Sequence, residues 1–107
     1  MTTTPPGMAA ALDRLWAKFL PEIEQRIAVL ESAAEALTAG LLTETEREAA
    51  HAAAHKLAGS LGTFGMQRGT ELARLAEDLL ATMPAANAGA ELASWANELR
   101  AMVAARS

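Results

Sequence analysis

The sequence predicts an all-α protein: an up-and-down antiparallel four-helix bundle with a short extra N-terminal helix. Apolar residues recur every three or four positions from Met8 onward, which is typical of amphipathic helices. No run of β-branched or aromatic residues alternates with a period of two, as strands would. Short connections favour antiparallel neighbours. The chain of 107 residues suits one domain, expected over residues 8–107 after a disordered leader at residues 1–7.

Pro21 separates the first two predicted helices. Proline is tolerated best at the first position of a helix, so we expect a short helix to end before Pro21 and a second helix to begin there. Gly40 marks the end of the second helix. The apolar stripes are Met8, Leu12, Leu15, Trp16 and Phe19 in the first helix, and Ile23, Ile27, Leu30, Ala34, Leu37 and Leu41 in the second.

The remaining helices are delimited by a capping signal, glycines and a proline. Thr43 and Glu46 have the spacing of a capping box, which predicts a helix from about Glu44 to Leu61. The next helix ends at Pro84, and residues 85–89 form the loop to the last one. The predicted core residues are Met66, Leu72, Leu75, Leu79 and Met83 in the fourth helix, and Leu92, Trp95, Leu99, Met102 and Val103 in the last.

Composition excludes several classes of function. Without cysteine there is no disulfide, thiolate metal site or thiol nucleophile. Nine Lys and Arg against thirteen Asp and Glu give a net charge of −4, so no basic surface points to nucleic acid or to an anionic membrane. The N-terminus lacks the pattern of a signal peptide. We expect a cytoplasmic monomer.

His55 is predicted to lie on the side of its helix that faces away from the core. On a helical wheel the core face lies roughly 200–260° from His55, and it comprises Ala50, Ala54, Leu57 and Leu61. The residues within about 60° of it are His51, Ala52, Gly59 and Gly62. Glycine late in a helix costs about 1 kcal/mol relative to alanine, so we expect a compensating use. Small neighbours would let another protein reach a nucleophilic imidazole.

Other interpretations of these residues stay open. An exposed histidine on an alanine-rich helix is most often only solvated, and the glycines could serve close helix packing. His51 and His55, four residues apart, could form half of a metal site, but the glutamate of a zinc-protease motif and a third ligand are missing. We therefore predict no metal site.

The segment from Ala54 to Gly65, with the helix after it, resembles the histidine-containing phosphotransfer (HPt) domain. The matching positions are His55, Leu57, Gly59, Ser60, Gly65 and Glu77. The resemblance extends over the whole chain, since HPt domains are four-helix bundles of about this length. It implies that His55 accepts a phosphoryl group from the aspartyl phosphate of a receiver domain and passes it on. It also implies that Gly59 permits receiver docking and that Glu77 orients the imidazole.

The resemblance further implies a phosphocarrier without kinase activity of its own. Its partners would be a response-regulator receiver domain, a hybrid histidine kinase, or both. No cofactor is expected on this chain, because Mg²⁺ would belong to the receiver. Antiparallel packing after a turn near residues 63–65 would place residues of about 73–77 beside His55, which agrees with the role implied for Glu77.

One position departs from the family pattern. Many HPt domains have lysine three residues after the histidine, whereas this chain has Ala58 there and Lys56 directly after His55. The positive charge that offsets the phosphoryl group could come from Lys56, from Arg68 or from protonated His51.

The sequence argues against one alternative function and leaves a second one open. The phosphoacceptor hairpin of a sensor kinase normally has an acidic residue and then proline after its histidine, and the residues after His55 do not fit. The other alternative is a helical adaptor that binds a receiver-like partner without phosphorylation.

Overall fold

A computed structural model describes residues 6–107 as a bundle of four antiparallel α-helices, which confirms the predicted fold class. The helices are α1 (Pro6–Thr38), α2 (Glu44–Thr63), α3 (Gln67–Leu79) and α4 (Gly89–Arg106), with a short 3₁₀ turn at Ala86–Ala88. Residues 1–5 of the predicted leader lie outside the described residues, and Pro6 and Gly7 already belong to α1.

Each helix packs against two neighbours, so that α2 and α4 lie diagonally opposite each other. The core between them is made of leucine, isoleucine and many alanines, which let the helices approach closely. None of the helices within residues 6–107 combines the length and the apolar character needed to cross a membrane. The largest fully buried side chains are Ile23, Ile27, Leu30, Leu57, Leu61, Leu72, Leu80, Leu92 and Leu99.

The separate N-terminal helix is a wrong prediction, because α1 runs through Pro21 without a break. Proline removes one backbone N–H, and its fixed φ is compatible with a helix. Pro21 lies on the exposed side, while Trp16 and Ile23 before and after it are buried in the same core. Burial of one continuous apolar face therefore outweighs the single hydrogen bond that is lost.

Trp16 closes one end of the bundle. Its ring packs edge-on against Phe64, with 5.1 Å between the ring centroids, and its Nε1–H donates to Ser107 Oγ over 3.0 Å. The Arg106 guanidinium lies 5.1 Å from the Trp16 ring centroid. One side chain of α1 thus contacts both the α2–α3 turn and the end of α4.

The turns on both sides of α2 follow their sequence signals. Gly40 and Gly65 have φ values of +71° and +69°, a conformation that glycine adopts without strain. Each follows a helix end whose last carbonyls it helps to satisfy, as in a Schellman motif. The predicted capping box is present, because Thr43 Oγ1 accepts from the Glu46 amide while the Glu46 carboxylate accepts from the Thr43 amide. The helix continues past Leu61 to Thr63.

Arg47 holds the other end of the α2–α3 pair. Its guanidinium donates to the Leu80 carbonyl oxygen over 2.6 Å, just after the end of α3, and it also pairs with Glu44. The hydrogen bond from Arg47 to the Glu44 carboxylate raises the pKa of Arg47. The helical hairpin is therefore held at the Gly65 turn and again at its open end.

Several residues predicted for the core are exposed instead. In α3 the buried positions are Gly69, Leu72, Ala73 and Ala76, so that Leu75 points outward. Ala73 and Ala76 are less hydrophobic than leucine, so they contribute little to the apolar pattern of the sequence. The predicted core face therefore included the larger Leu75 instead. The exposed large apolar residues also include Met8, Leu15, Leu41 and Met83.

Candidate functional site

The exposed face of α2 contains His55. The predicted core face of this helix is confirmed, since all four of its predicted residues are buried. The His55 side chain is 73% exposed. The imidazole is therefore open to solvent on a helix whose opposite side is fixed in the core.

Glu77 of α3 is the direct partner of His55. Its Oε2 lies 2.7 Å from His55 Nδ1, although the two residues are 22 positions apart. The antiparallel register of the hairpin accounts for this contact, and Gly62 faces Thr70 in the same register two turns further along α2. The expected position of Glu77 beside His55 is thus found in the structure.

This contact determines which ring nitrogen keeps a free lone pair. An ionised carboxylate only accepts hydrogen bonds, so Nδ1 must carry the proton that it donates to Glu77. In the neutral ring, Nε2 then holds the free lone pair. A nucleophile at Nε2 needs no base to remove a proton before it attacks.

Gly59 and Gly62 lie inside α2 on the exposed side of the helix. A Cβ built at Gly59 would meet nothing within 4 Å, and one built at Gly62 would make only an ordinary contact of 3.7 Å with Thr70 Oγ1. Close packing within the domain therefore does not require Gly59. The lack of a side chain at Gly59 leaves the surface of α2 open one turn after His55.

Ser60 and Lys56 lie on the α1 side of this face. Ser60 Oγ accepts a hydrogen bond from Arg26 of α1 over 3.2 Å, and Arg26 also lies 3.8 Å from Glu22. Lys56 is exposed and forms no ion pair with any residue in the described range 6–107. Sequence reasoning missed Arg26, because only the packing of α1 against α2 brings it to Ser60.

Arg68 lies away from His55. Its guanidinium pairs with Glu98 of α4, with Nε 2.9 Å from Oε2, and this hydrogen bond raises the pKa of Arg68. Nine residues of helix, about 13 Å along the axis, separate Arg68 from Glu77. His51 lies half-buried one turn before His55. Within residues 6–107, no three His, Asp or Glu side chains are grouped as a metal site requires.

Comparison with known proteins gives one match. The family model described as the Hpt domain matches residues 14–106, nearly the whole chain. Searches of curated proteins and of solved structures found no match. Hpt domains are phosphocarriers of two-component signalling, where a histidine is phosphorylated. Since this match includes most of α1 and all of α2, α3 and α4, and α2 carries an exposed histidine, the chain belongs to the Hpt domain family.

Proposed function

We propose that His55 is the phosphoacceptor of a phosphorelay, taking a phosphoryl group from a receiver-domain aspartyl phosphate and passing it to another receiver. The observation that carries the proposal is the pairing of His55 Nδ1 with Glu77, which leaves an exposed Nε2 as the nucleophile. Gly59 leaves room beside the ring for the receiver.

The transfer step balances without a proton leaving the ring. The Nε2 lone pair forms the N–P bond while the bond between phosphorus and the aspartyl oxygen breaks, and the receiver recovers its aspartate carboxylate. The ring becomes positively charged as the N–P bond forms. The Glu77 carboxylate, 2.7 Å from Nδ1, stabilises that charge and keeps the imidazole in one orientation.

Binding and positioning are the main contributions of this chain to the reaction. A phosphoryl group passes through a loose transition state, in which alignment of the two reacting atoms and compensation of charge dominate. Mg²⁺ and the aspartate would come from the receiver, so the chain needs no cofactor of its own. A hybrid histidine kinase that contains a receiver domain would meet the same requirement as a separate response regulator.

Incubation with phosphorylated receivers and Mg²⁺ tests the proposal. We expect an acid-labile, alkali-stable phosphate on the wild type and none on His55→Gln, which keeps a polar side chain but lacks the nucleophile. His51→Gln is the matched control for the loss of an imidazole one turn away on the same helix, and it should still gain the phosphate, at whatever rate. If no receiver of the source organism labels the wild type, or if His55→Gln is labelled equally, the phosphocarrier role fails and a non-phosphorylated adaptor remains.

Removal of the Glu77 carboxylate is expected to slow labelling of His55. Glu77→Ala should reduce the initial rate about tenfold, the effect of one charge-assisted hydrogen bond. Glu77→Gln should lose less, because its amide oxygen still accepts from Nδ1. The ¹H–¹⁵N spectrum of the imidazole should show one tautomer in the wild type and a mixture in Glu77→Ala.

Asp78→Ala provides the control for the loss of a negative charge on α3, since Asp78 is exposed and adjacent to Glu77. It should keep the wild-type rate and tautomer. An unchanged tautomer in Glu77→Ala, with the fold intact by circular dichroism, would remove Glu77 from the mechanism.

A further inference from the structure

Arg74 is an exposed cation of α3 without a partner inside the described residues. Five of the seven arginines form ion pairs within residues 6–107, which leaves Arg14 and Arg74. Arg14 lies near the start of α1, whereas Arg74 precedes Glu77 by three residues. Residues with this spacing are neighbours on a helix surface. Arg74 therefore lies one turn from the carboxylate that holds His55.

The register of the hairpin places Arg74 at the level of Ala58. His55 pairs with Glu77 and Gly62 with Thr70, so each step forward along α2 matches a step back along α3. Positions 58 and 74 accordingly lie at the same level along the hairpin. Many Hpt domains have lysine at the position that Ala58 occupies here, and Ala58 is only 7% exposed. The basic side chain at this place comes from α3 instead of α2.

The surface around Arg74 is open toward the reacting face. Arg74 borders a shallow groove together with Gly62, Thr70 and Glu71, and the absence of side chains at Gly59 and Gly62 keeps the α2 surface between this groove and His55 low. Lys56, the other free cation near His55, is rotated about 100° from it on α2, toward Ser60 and α1. The two cations thus lie on opposite sides of the imidazole.

A phosphoryl group on His55 brings negative charge close to the Glu77 carboxylate, and the resulting repulsion opposes transfer unless a cation offsets it. Arginine is suited to this task, because its planar guanidinium donates two parallel N–H bonds to phosphate oxygens. Building on the proposed role of His55, we infer that Arg74 binds the oxygens of the phosphoryl group as it moves onto Nε2. Arg74 thereby supplies the charge that position 58 lacks.

Labelling with phosphoramidate separates this role from receiver docking. This small donor transfers its phosphoryl group to the imidazole as its P–N bond breaks and ammonia leaves, and no receiver takes part. We expect Arg74→Gln to lower the initial rate about tenfold both with phosphoramidate and with a phosphorylated receiver. Arg74→Glu should lose more, and Arg74→Lys should recover part of the rate. A purely structural effect would not follow the sign of the charge.

Arg14→Gln is the matched control, since it removes the same charge from an exposed arginine outside the site, and it should keep the wild-type rate. A wild-type rate in Arg74→Gln overturns the inference while the role of His55 stands. A loss of rate that is confined to the receiver reaction also overturns the inference, as does a tenfold loss of rate found only in Lys56→Gln. Failure of wild-type labelling by both donors overturns the proposed function and this inference together.

Discussion

Gly89→Ala is expected to destabilise the fold more than any other glycine-to-alanine change in the chain. A Cβ at position 89 would lie 2.1 Å from Thr38 Oγ1, 2.8 Å from the Thr38 amide nitrogen and 3.0 Å from its Cα. Because two of these atoms are backbone, the start of α4 must move away from the end of α1. Such overpacking costs about 3 kcal/mol, and for a domain of this size it should lower Tm by more than about 10 °C.

The backbone conformation of Gly89 isolates the steric effect. Its φ of −59° and ψ of −38° are ordinary helical values, so alanine adds no conformational strain. Gly59→Ala is the matched control, because it adds the same methyl group to a helical glycine with open space around it. It should raise stability by up to about 1 kcal/mol. Thermal or urea unfolding of both variants decides the matter, and equal stabilities would contradict the packing described at Thr38.

Gly59→Leu is expected to block receiver docking while the bundle stays folded. The leucine side chain would project from the exposed face of α2 one turn after His55, where nothing in the domain obstructs it. Leucine is also the better helix former, so stability should not fall. We expect the rate of phosphotransfer from a phosphorylated receiver to drop at least about tenfold, since steric misfit at a close interface readily costs that much.

Labelling with phosphoramidate distinguishes blocked receiver docking from a direct effect on the reaction at His55. Gly59→Leu should retain most of the wild-type rate with this small donor, whereas Arg74→Gln should lose rate with both donors. Ala101→Leu places the same side chain on the exposed surface of α4, diagonally opposite α2, and should transfer normally. Full transfer from the receiver to Gly59→Leu would show that the open surface at Gly59 is not part of the docking face.

The sequence predicted those features that depend on local chemistry. The turn at Gly40 and the cap at Thr43 follow from backbone preferences of a few neighbouring residues, and the exposure of His55 follows from helical periodicity. The predicted helix break at Pro21 is wrong because the local penalty of proline is visible in the sequence, while the core that outweighs it is assembled from distant segments.

The features that the sequence predicts less well depend on contacts between helices. Glu77 could be placed near His55 because a short turn joins their helices, so the register needs little information beyond the turn position. The contact of Arg26 with Ser60 and the pairing of Arg68 with Glu98 depend on how whole helices are rotated against each other. The sequence does not single out Arg74 for the same reason, since its relation to Ala58 appears only once the register is known.

The hydrogen bond from Arg47 to the Leu80 carbonyl joins the two open ends of the α2–α3 hairpin. His55 and Glu77 lie between this bond and the Gly65 turn. The distance between the imidazole and the carboxylate is thus determined by contacts within this one hairpin. The orientation of the proposed phosphoacceptor is therefore determined by contacts within one helical hairpin, which α1 and α4 support from the core side.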